Sequence, residues 1–185
     1  EPQPVVEKIP MKKVKEKYID EAVEMIAAAK KPYIYVGGGA AGLGLGKEIV
    51  AFAEKIGAVI GCSFMGLSAI PQECERFLGM QGMHGHYASS MAQNESDLII
   101  GLGVRFSDRA TGNVAKFAKQ SKIIQLDPDS AEINKNVRVD LGVVGDMEDA
   151  FKRIAEKCEE KENIDWLLRV NELKKEEEGF EEEIA

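Results

Sequence analysis

The chain has 185 residues, a length that indicates one domain with a short terminal extension and excludes a large multidomain enzyme. Its 24 lysine and arginine residues stand against 32 aspartate and glutamate residues, and the formal charge of −8 argues against nucleic acid or an anionic membrane as a partner. With 44% hydrophobic and 30% charged residues, the composition is that of a soluble globular domain rather than a disordered chain.

The cysteines and the N-terminus favour a cytoplasmic piece of a longer polypeptide. Cys62, Cys74 and Cys158 are an odd number without CxxC spacing, which indicates neither a disulfide framework nor a zinc ribbon. The sequence shows no secretory leader pattern and no apolar run long enough to cross a bilayer. The chain begins with Glu1 rather than methionine, so we expect a segment of a larger protein.

The predicted elements begin with a linker and a helix. Residues 1–16 contain three prolines and little apolar surface, which predicts an extended interdomain linker. Residues 18–30 carry apolar side chains at helical spacing, and Pro32 ends that helix. The domain itself is therefore expected to occupy residues 17–161.

Short apolar strands then alternate with helical segments. Strands are predicted at 33–36, 58–60, 97–101, 122–126 and 141–144, and further helices at 45–56 and from 147 to about 161. Because the strands are continuously apolar rather than alternating, both of their faces should be covered. The fold class is therefore α/β: a three-layer, open parallel sheet of about six strands with helices on both faces, similar to a Rossmann dinucleotide-binding domain.

Residues 162–185 are expected to leave this domain. Apolar side chains from Trp166 to Leu173 lie at helical spacing and predict a helix that docks on the core. Acidic residues then dominate around 176–183, a pattern typical of solvated segments. We therefore expect a helix that becomes an acidic linker toward a further domain.

The first predicted strand ends in a candidate nucleotide-binding turn. Gly37, Gly38, Gly39 and Gly42 satisfy GxGxxG just ahead of a helical segment. Glycines in this position allow backbone amides to approach a pyrophosphate closely. No acidic residue follows about twenty positions later to hold the ribose of NAD. A glycine turn that binds nothing is the alternative interpretation.

A loop rich in glycine and methionine is predicted at 78–86. Methionine is soft and adaptable, so Met83 would pack well against a flat aromatic ligand. His84 and His86 lie one residue apart without a third ligand nearby. No metal site is therefore predicted.

Charged residues follow the later strands. Arg105 and Arg109 come after the third predicted strand and would supply positive charge for a diphosphate. Asp127 and Asp146 end the fourth and fifth, where a carboxylate could accept hydrogen bonds from a ribose or an adenine amino group. Helix capping is the alternative, because Asp129, Ser130 and Asp146 precede helical segments. Neither a nucleophile with a nearby base nor a Walker lysine is recognisable, so no catalytic residue is assigned.

An ordered set of motifs resembles one family. The motifs are Lys31–Gly39, Phe64–Leu67, Leu78–Gly85, Gly103–Gly112, Ile124–Lys135 and Val144–Asp146. Over approximately residues 17–160 they resemble the central domain of the acetolactate synthase (acetohydroxyacid synthase) catalytic subunit. The resemblance implies a thiamine-diphosphate-dependent transferase that condenses two pyruvates, or pyruvate and 2-oxobutyrate, with release of CO2 in branched-chain amino acid biosynthesis.

The resemblance also implies that this domain binds FAD and that the FAD has a mainly structural role. The positions that resemble FAD contacts are Gly37, Gly38, Gly39, Phe64, Met65, Met83, His84, Gly85, Gly103, Val104, Arg105, Arg109, Asp127 and Asp146. Asp108 and Arg109 resemble a pair in the channel to the active site, where substrates pass and inhibitors of the family bind. Ser107 and Ala110 depart from the family's usual aspartate and valine, so a contact made by that aspartate would be altered.

Thiamine diphosphate and Mg2+ are implied for domains on either side of this one, so the fragment alone is expected to show no turnover. The implied partners are those flanking domains, further copies in a homo-oligomer and a regulatory small subunit. Two other functions stay open on the residues: a self-contained NAD-dependent enzyme, and an interaction domain with a vestigial nucleotide site.

Overall fold

The computed structural model describes residues 10–107 and 117–184. Six parallel strands form one sheet in the order β3-β2-β1-β4-β5-β6. Their bounds are β1 Pro32–Val36, β2 Val59–Cys62, β3 Phe77–Met80, β4 Leu98–Leu102, β5 Lys122–Asp127 and β6 Leu141–Val144. The predicted fold class, an open parallel α/β sheet, is confirmed.

Helices cover both faces of the sheet. They are α1 Glu16–Ala28, α2 Gly38–Leu43, α3 Gly46–Ile56, α4 Tyr87–Glu95, α5 Met147–Lys157 and α6 Ile164–Ile184. Alternate residues of each strand point to opposite faces, so Ile34 packs with α1, α3 and α5 while Tyr33 packs with α4 and α6. Burial on both faces explains why the strands read as continuous apolar runs.

The structure corrects the sequence prediction at three elements. Residues 78–80, predicted as loop, belong to β3, which pairs in parallel with β2. The glycines after β1 enter a separate short helix, α2, which ends at Leu43; Gly44 follows with φ of 68°, before α3 begins. The helix after β6 ends at Lys157 rather than near residue 161.

The predicted C-terminal helix does not end before the acidic residues, where a solvated linker was expected. Helix α6 continues through them, and Glu177 Oε1 accepts a hydrogen bond from the Tyr87 amide at 2.7 Å. The Tyr87 hydroxyl donates to Glu176 at 3.0 Å, and the Phe180 ring packs edge-on against Tyr87. At the other end of α6, the Trp166 indole N–H donates to the carbonyl of Pro32 at 3.1 Å. These contacts fasten α6 to the sheet and to α4.

The segment before α1 packs on the far edge of the sheet. Val14 is buried, and the carbonyl of Lys12 accepts a hydrogen bond from the Asp146 amide at 2.9 Å. The described part of the predicted linker, residues 10–15, thus contacts the end of β6. Across the described ranges, none of the helices is both long enough and apolar enough to span a bilayer.

Candidate functional site

A cleft of about 1050 Å3 opens at the carboxyl ends of β1 to β4. Strand β1 lies between β2 and β4: strands β2 and β3 follow on one side of it, and strands β4 to β6 on the other. The strand order therefore reverses direction at β1. Open parallel sheets bind ligands at such a switch point. The lining residues are Tyr35, Gly37, Gly38, Gly39, Ser63, Phe64, Met65, Met80, Gln81, Met83, His84, Gly103, Val104, Arg105, Phe106 and Ser107.

The glycine turn after β1 is packed against the turn after β4. The Gly37 amide donates to the carbonyl of Leu102 at 2.9 Å, and the Gly39 amide donates to that of Gly103 at 3.1 Å. A Cβ on Gly37 would lie 2.1 Å from the carbonyl oxygen of Gly103, which itself has φ of 56°. Two of the three glycine amides are therefore used within the protein, and close backbone packing explains this part of the motif.

Three large apolar side chains stand at the cleft with most of their surface exposed. Phe64 is 73% exposed, Met65 69% and Met83 77%. Phe64 and Met65 lie in the 3-10 turn after β2, whereas Met83 lies in the loop between β3 and α4. Exposed apolar side chains that converge on a concave surface are typical of a site that a ligand or a protein surface covers.

The interior of the cleft holds polar side chains that sequence analysis did not select. Tyr35 and Gln81 are 0% and 4% exposed, and neither the Tyr35 hydroxyl nor Gln81 Nε2 has a hydrogen-bond partner in the described part of the chain. Gln81 Oε1 accepts from the Tyr33 hydroxyl at 3.3 Å. Burial raises the pKa of Tyr35 to about 12, and the adjacent Gln81 side chain lowers it by less, so the hydroxyl stays protonated at neutral pH. One signal in the sequence was Gln81 itself, a polar residue within a glycine and methionine loop.

Positive charge reaches the cleft through Arg105. Its side chain is 79% exposed, and Arg105 Nε lies 3.8 Å from Glu132 Oε2. Lys135 Nζ contacts the other Glu132 oxygen at 2.9 Å, so Arg105 shares that carboxylate. The 3.8 Å separation between Arg105 and Glu132 is longer than a hydrogen bond, and the Arg105 side chain is largely exposed, which leaves its guanidinium available to an anionic ligand.

The predicted residues fall into three groups. The cleft brings together Gly37, Gly38, Gly39, Phe64, Met65, Met83, His84, Gly103, Val104 and Arg105. Gly85, Asp127 and Asp146 are not among its lining residues. Asp108 and Arg109, predicted for the channel, lie outside the described residues, as does Ala110.

The two aspartates have local roles in the structure. Asp146 caps α5 by accepting a hydrogen bond from the Asp149 amide at 3.0 Å, which is one of the two roles expected for it. Asp127 is 7% exposed, and its carboxylate accepts from the Asp129 amide at 2.9 Å. Burial raises the pKa of Asp127 above its ordinary value. Among the side chains that the structure describes, in residues 10–107 and 117–180, no three His, Cys, Asp or Glu gather as a metal site would require.

Taken together, the cleft has the chemistry of a binding site. Apolar side chains offer a surface for a flat ring, neutral polar groups lie inside, and an arginine stands on the β4 side. Such a combination suits an aromatic ligand that carries an anionic group. The lining therefore favours binding and orientation.

Comparisons with known proteins bear on this site. The sequence model of the family described as "Thiamine pyrophosphate enzyme, central domain" matches residues 19–154. The chain is 40% identical over 134 residues to the acetolactate synthase large subunit of Haemophilus influenzae, an alignment that covers 72% of this chain and 23% of that protein. It is also 40% identical over 162 residues to a probable acetolactate synthase large subunit of Methanocaldococcus jannaschii, covering 85% and 27% respectively.

A similar match is found with the acetolactate synthase large subunit of Corynebacterium glutamicum. The identity is 40% over 161 residues, which covers 84% of this chain and 26% of the relative. The chain thus spans about a quarter of the length of these curated relatives.

Proposed function

Because this chain belongs to the family of thiamine pyrophosphate enzyme central domains, we propose that its cleft binds FAD as the middle domain of an acetolactate synthase large subunit. The observation that supports FAD is the exposure of Phe64, Met65 and Met83 around a cleft that also holds Arg105. A flavin ring is flat and largely apolar, whereas the diphosphate of FAD is anionic. The cleft offers a partner for each.

Each group of residues would hold a different part of the cofactor. Phe64, Met65 and Met83 would pack against the flavin ring, because thioether and aromatic side chains make favourable contacts with flat rings. Arg105 would form charge-assisted hydrogen bonds with the diphosphate. Asp127 lies at the end of β5, where a carboxylate would accept hydrogen bonds from the ribose or adenine end.

The activity proposed for the whole protein is that of its relatives. We propose that it condenses two 2-oxoacids with loss of CO2, using thiamine diphosphate and Mg2+ held by other domains. This domain would position FAD and contribute Asp108 and Arg109 to the channel of the active site. Flanking domains, a homo-oligomer and a small subunit are the proposed partners of the whole protein, in keeping with the name of the relatives as large subunits.

Fluorescence titration of the chain with FAD, and with NAD for comparison, tests the proposal. We expect FAD to bind and NAD to leave the protein unchanged. Arg105→Ala should weaken FAD binding by about tenfold to a hundredfold, since charge-assisted hydrogen bonds contribute about 1.5 to 3 kcal/mol. The loss should shrink as salt is added.

Lys122→Ala serves as the control. Lys122 is exposed and is the first residue of β5, at the amino end of the sheet, whereas the cleft lies at the carboxyl ends of the strands. The variant should bind FAD as the parent does. Binding of NAD in preference to FAD would contradict the proposal and favour a nicotinamide-dependent enzyme. The absence of FAD binding, both to this chain and to the full-length protein, would also contradict it.

A further inference from the structure

The interior of the cleft contains two polar side chains whose hydrogen-bonding capacity is unused. Tyr35 and Gln81 are both buried, and their Oη and Nε2 atoms lack partners in residues 10–107 and 117–184. Leaving such groups unpaired in a folded interior costs free energy, and most buried polar groups in proteins are therefore paired. Both residues line the cleft, so a ligand bound there would lie next to them.

A neighbouring network holds Gln81 in place. Its Oε1 accepts from the Tyr33 hydroxyl, which also lies 2.9 Å from the Ser89 hydroxyl. Ser89 in turn donates to the carbonyl of Gly79 at 3.2 Å. With its oxygen already bonded, the Gln81 amide keeps its Nε2 donor unbonded beside Tyr35, and both side chains line the cleft.

The surroundings of this pair are uncharged. The Tyr35 ring lies 5.6 Å from the ring of Phe106, and Met80 and Val104 line the same cleft. Arg105, by contrast, is highly exposed and faces Glu132. Moving a phosphate into the neutral interior would strip it of water without supplying a charge, so the anionic part of a ligand belongs with Arg105.

We propose that Tyr35 and Gln81 form a specificity-determining pair that hydrogen-bonds an uncharged polar edge of the ligand's aromatic ring system. This inference rests on the proposed function, and it assigns the ring of FAD, rather than its diphosphate or adenosine half, to the buried end of the cleft. Gln81 Nε2 donates to a ring carbonyl or ring nitrogen. The protonated Tyr35 hydroxyl donates to, or accepts from, the neighbouring ring atom.

Tyr35→Phe and Gln81→Met, each with nearly unchanged side-chain volume, test the pair. The probes are FAD, riboflavin, which lacks the diphosphate, and ADP, which lacks the ring. Loss of one neutral hydrogen bond should weaken riboflavin and FAD binding by the same factor, roughly three- to tenfold, and leave ADP binding unchanged. The factor should not depend on salt, in contrast to that of Arg105→Ala.

Tyr33→Phe is the matched control, because Tyr33 lies on the same strand and face but its hydroxyl already donates within the protein, to Gln81 Oε1. Without ligand, Tyr33→Phe should lower the melting temperature, whereas Tyr35→Phe should leave it unchanged or raise it. A melting temperature lowered equally by both changes would overturn the assignment of Tyr35, since its hydroxyl would then have a partner within the protein.

The outcomes separate this inference from the proposed function. If FAD binds and both cleft variants bind riboflavin like the parent, the inference is wrong and the proposed function stands. If the variants weaken ADP instead of riboflavin, the pair recognises the nucleotide half and the inference is wrong. If the parent binds NAD but no flavin, and both variants weaken NAD and not ADP, the proposed function is wrong and the inference stands. Binding of none of these probes would overturn both.

Discussion

At the scale of single residues, the contact between the turns after β1 and β4 depends on the absence of a side chain at Gly37. Gly37 and Gly103 bring the ends of β1 and β4 close enough for their backbones to hydrogen-bond. Gly103 also takes a positive φ, which other residues adopt only at a cost. The glycine pattern that predicts a nucleotide site is thus required by the fold as well, and a glycine motif alone cannot separate the two reasons.

Gly37→Ala is expected to destabilise the chain by about 2 to 3 kcal/mol or more, because its Cβ would overlap the carbonyl of Gly103. Gly42→Ala is the control, since a Cβ there meets nothing within 4 Å and alanine favours the helix α2. Urea unfolding followed by circular dichroism measures both. Equal stability of the two variants would show that the two turns are not packed as described.

The three thiols should differ in reactivity. Burial raises the pKa of Cys62 to about 12 and that of Cys158 to about 11, while Cys74 is half-buried. Because the thiolate is the reactive form, a disulfide reagent at pH 8 should modify one thiol quickly and the other two upon unfolding. Cys74→Ser should remove the fast phase. A fast phase that persists in Cys74→Ser would contradict the burial of the other two.

At the scale of elements, helix α6 supplies the N-terminal cap that helix α4 lacks. His86 precedes α4 without a side-chain cap, and the carboxylate of Glu177 bonds to the first amide of that helix instead. Arg169 of α6 holds Glu95 at the other end of α4 through two hydrogen bonds of 2.8 and 2.9 Å. The acidic segment therefore fixes the helix that follows the cleft loop, and this long-range capping explains why a charge run remains helical.

Glu95→Gln should lower the free energy of unfolding at pH 7 by about 0.5 to 1 kcal/mol, the range for a well-oriented pair near the surface. The hydrogen bonds from Arg169 lower the pKa of Glu95 in the folded state. The stabilisation is therefore present above the unfolded pKa of glutamate and is lost as the pH falls through the lowered pKa of the folded state.

Urea unfolding of parent and variant at several pH values measures this difference. The two curves should converge in acid. Glu148→Gln is the control, because the Glu148 to Lys152 pair on α5 is largely exposed and should contribute little at any pH. A difference that is independent of pH would contradict the role assigned to Glu95.

At the scale of the whole molecule, strand order places the site. The motifs after β1, β2, β3 and β4 are separated by up to 70 residues along the chain, and the order β3-β2-β1-β4 brings their carboxyl ends side by side. Phe64, Met65 and Met83, which this arrangement gathers at the cleft, are exposed on the isolated chain. A ligand that covers them should stabilise the fold.

FAD at a free concentration 100 times its dissociation constant should therefore add about 2.7 kcal/mol to the free energy of unfolding. For a chain of this length that corresponds to a rise in melting temperature of roughly 5 to 11 °C. Differential scanning fluorimetry over a series of FAD concentrations measures the rise, with ADP as the comparison ligand. An unchanged melting temperature at saturating FAD would contradict binding to the folded state.

Much of the fold could be predicted from the sequence because the signals are local. The continuous apolar runs of β1, β4, β5 and β6 mark strands buried on both faces, and their predicted bounds agree with the structure within two residues. Strand β3 was missed, since Gly79 and the methionines around it carry little strand propensity and the strand forms through its pairing with β2.

For the candidate site, too, some features could be predicted from local sequence and others depend on tertiary contacts. By itself the sequence determined that polar, glycine and methionine residues follow the strands, and residues at strand ends must lie at one edge of a parallel sheet. The resemblance to a known family added Phe64, Met65 and other positions, and the structure brings ten of the selected residues together in the cleft. Only the tertiary structure decided that Tyr35 and Gln81 face the cleft unpaired, that two glycine amides are already bonded, and that α6 caps α4. Those features are contacts between residues distant in sequence, and no local pattern records which hydrogen bonds the folded chain leaves unmade.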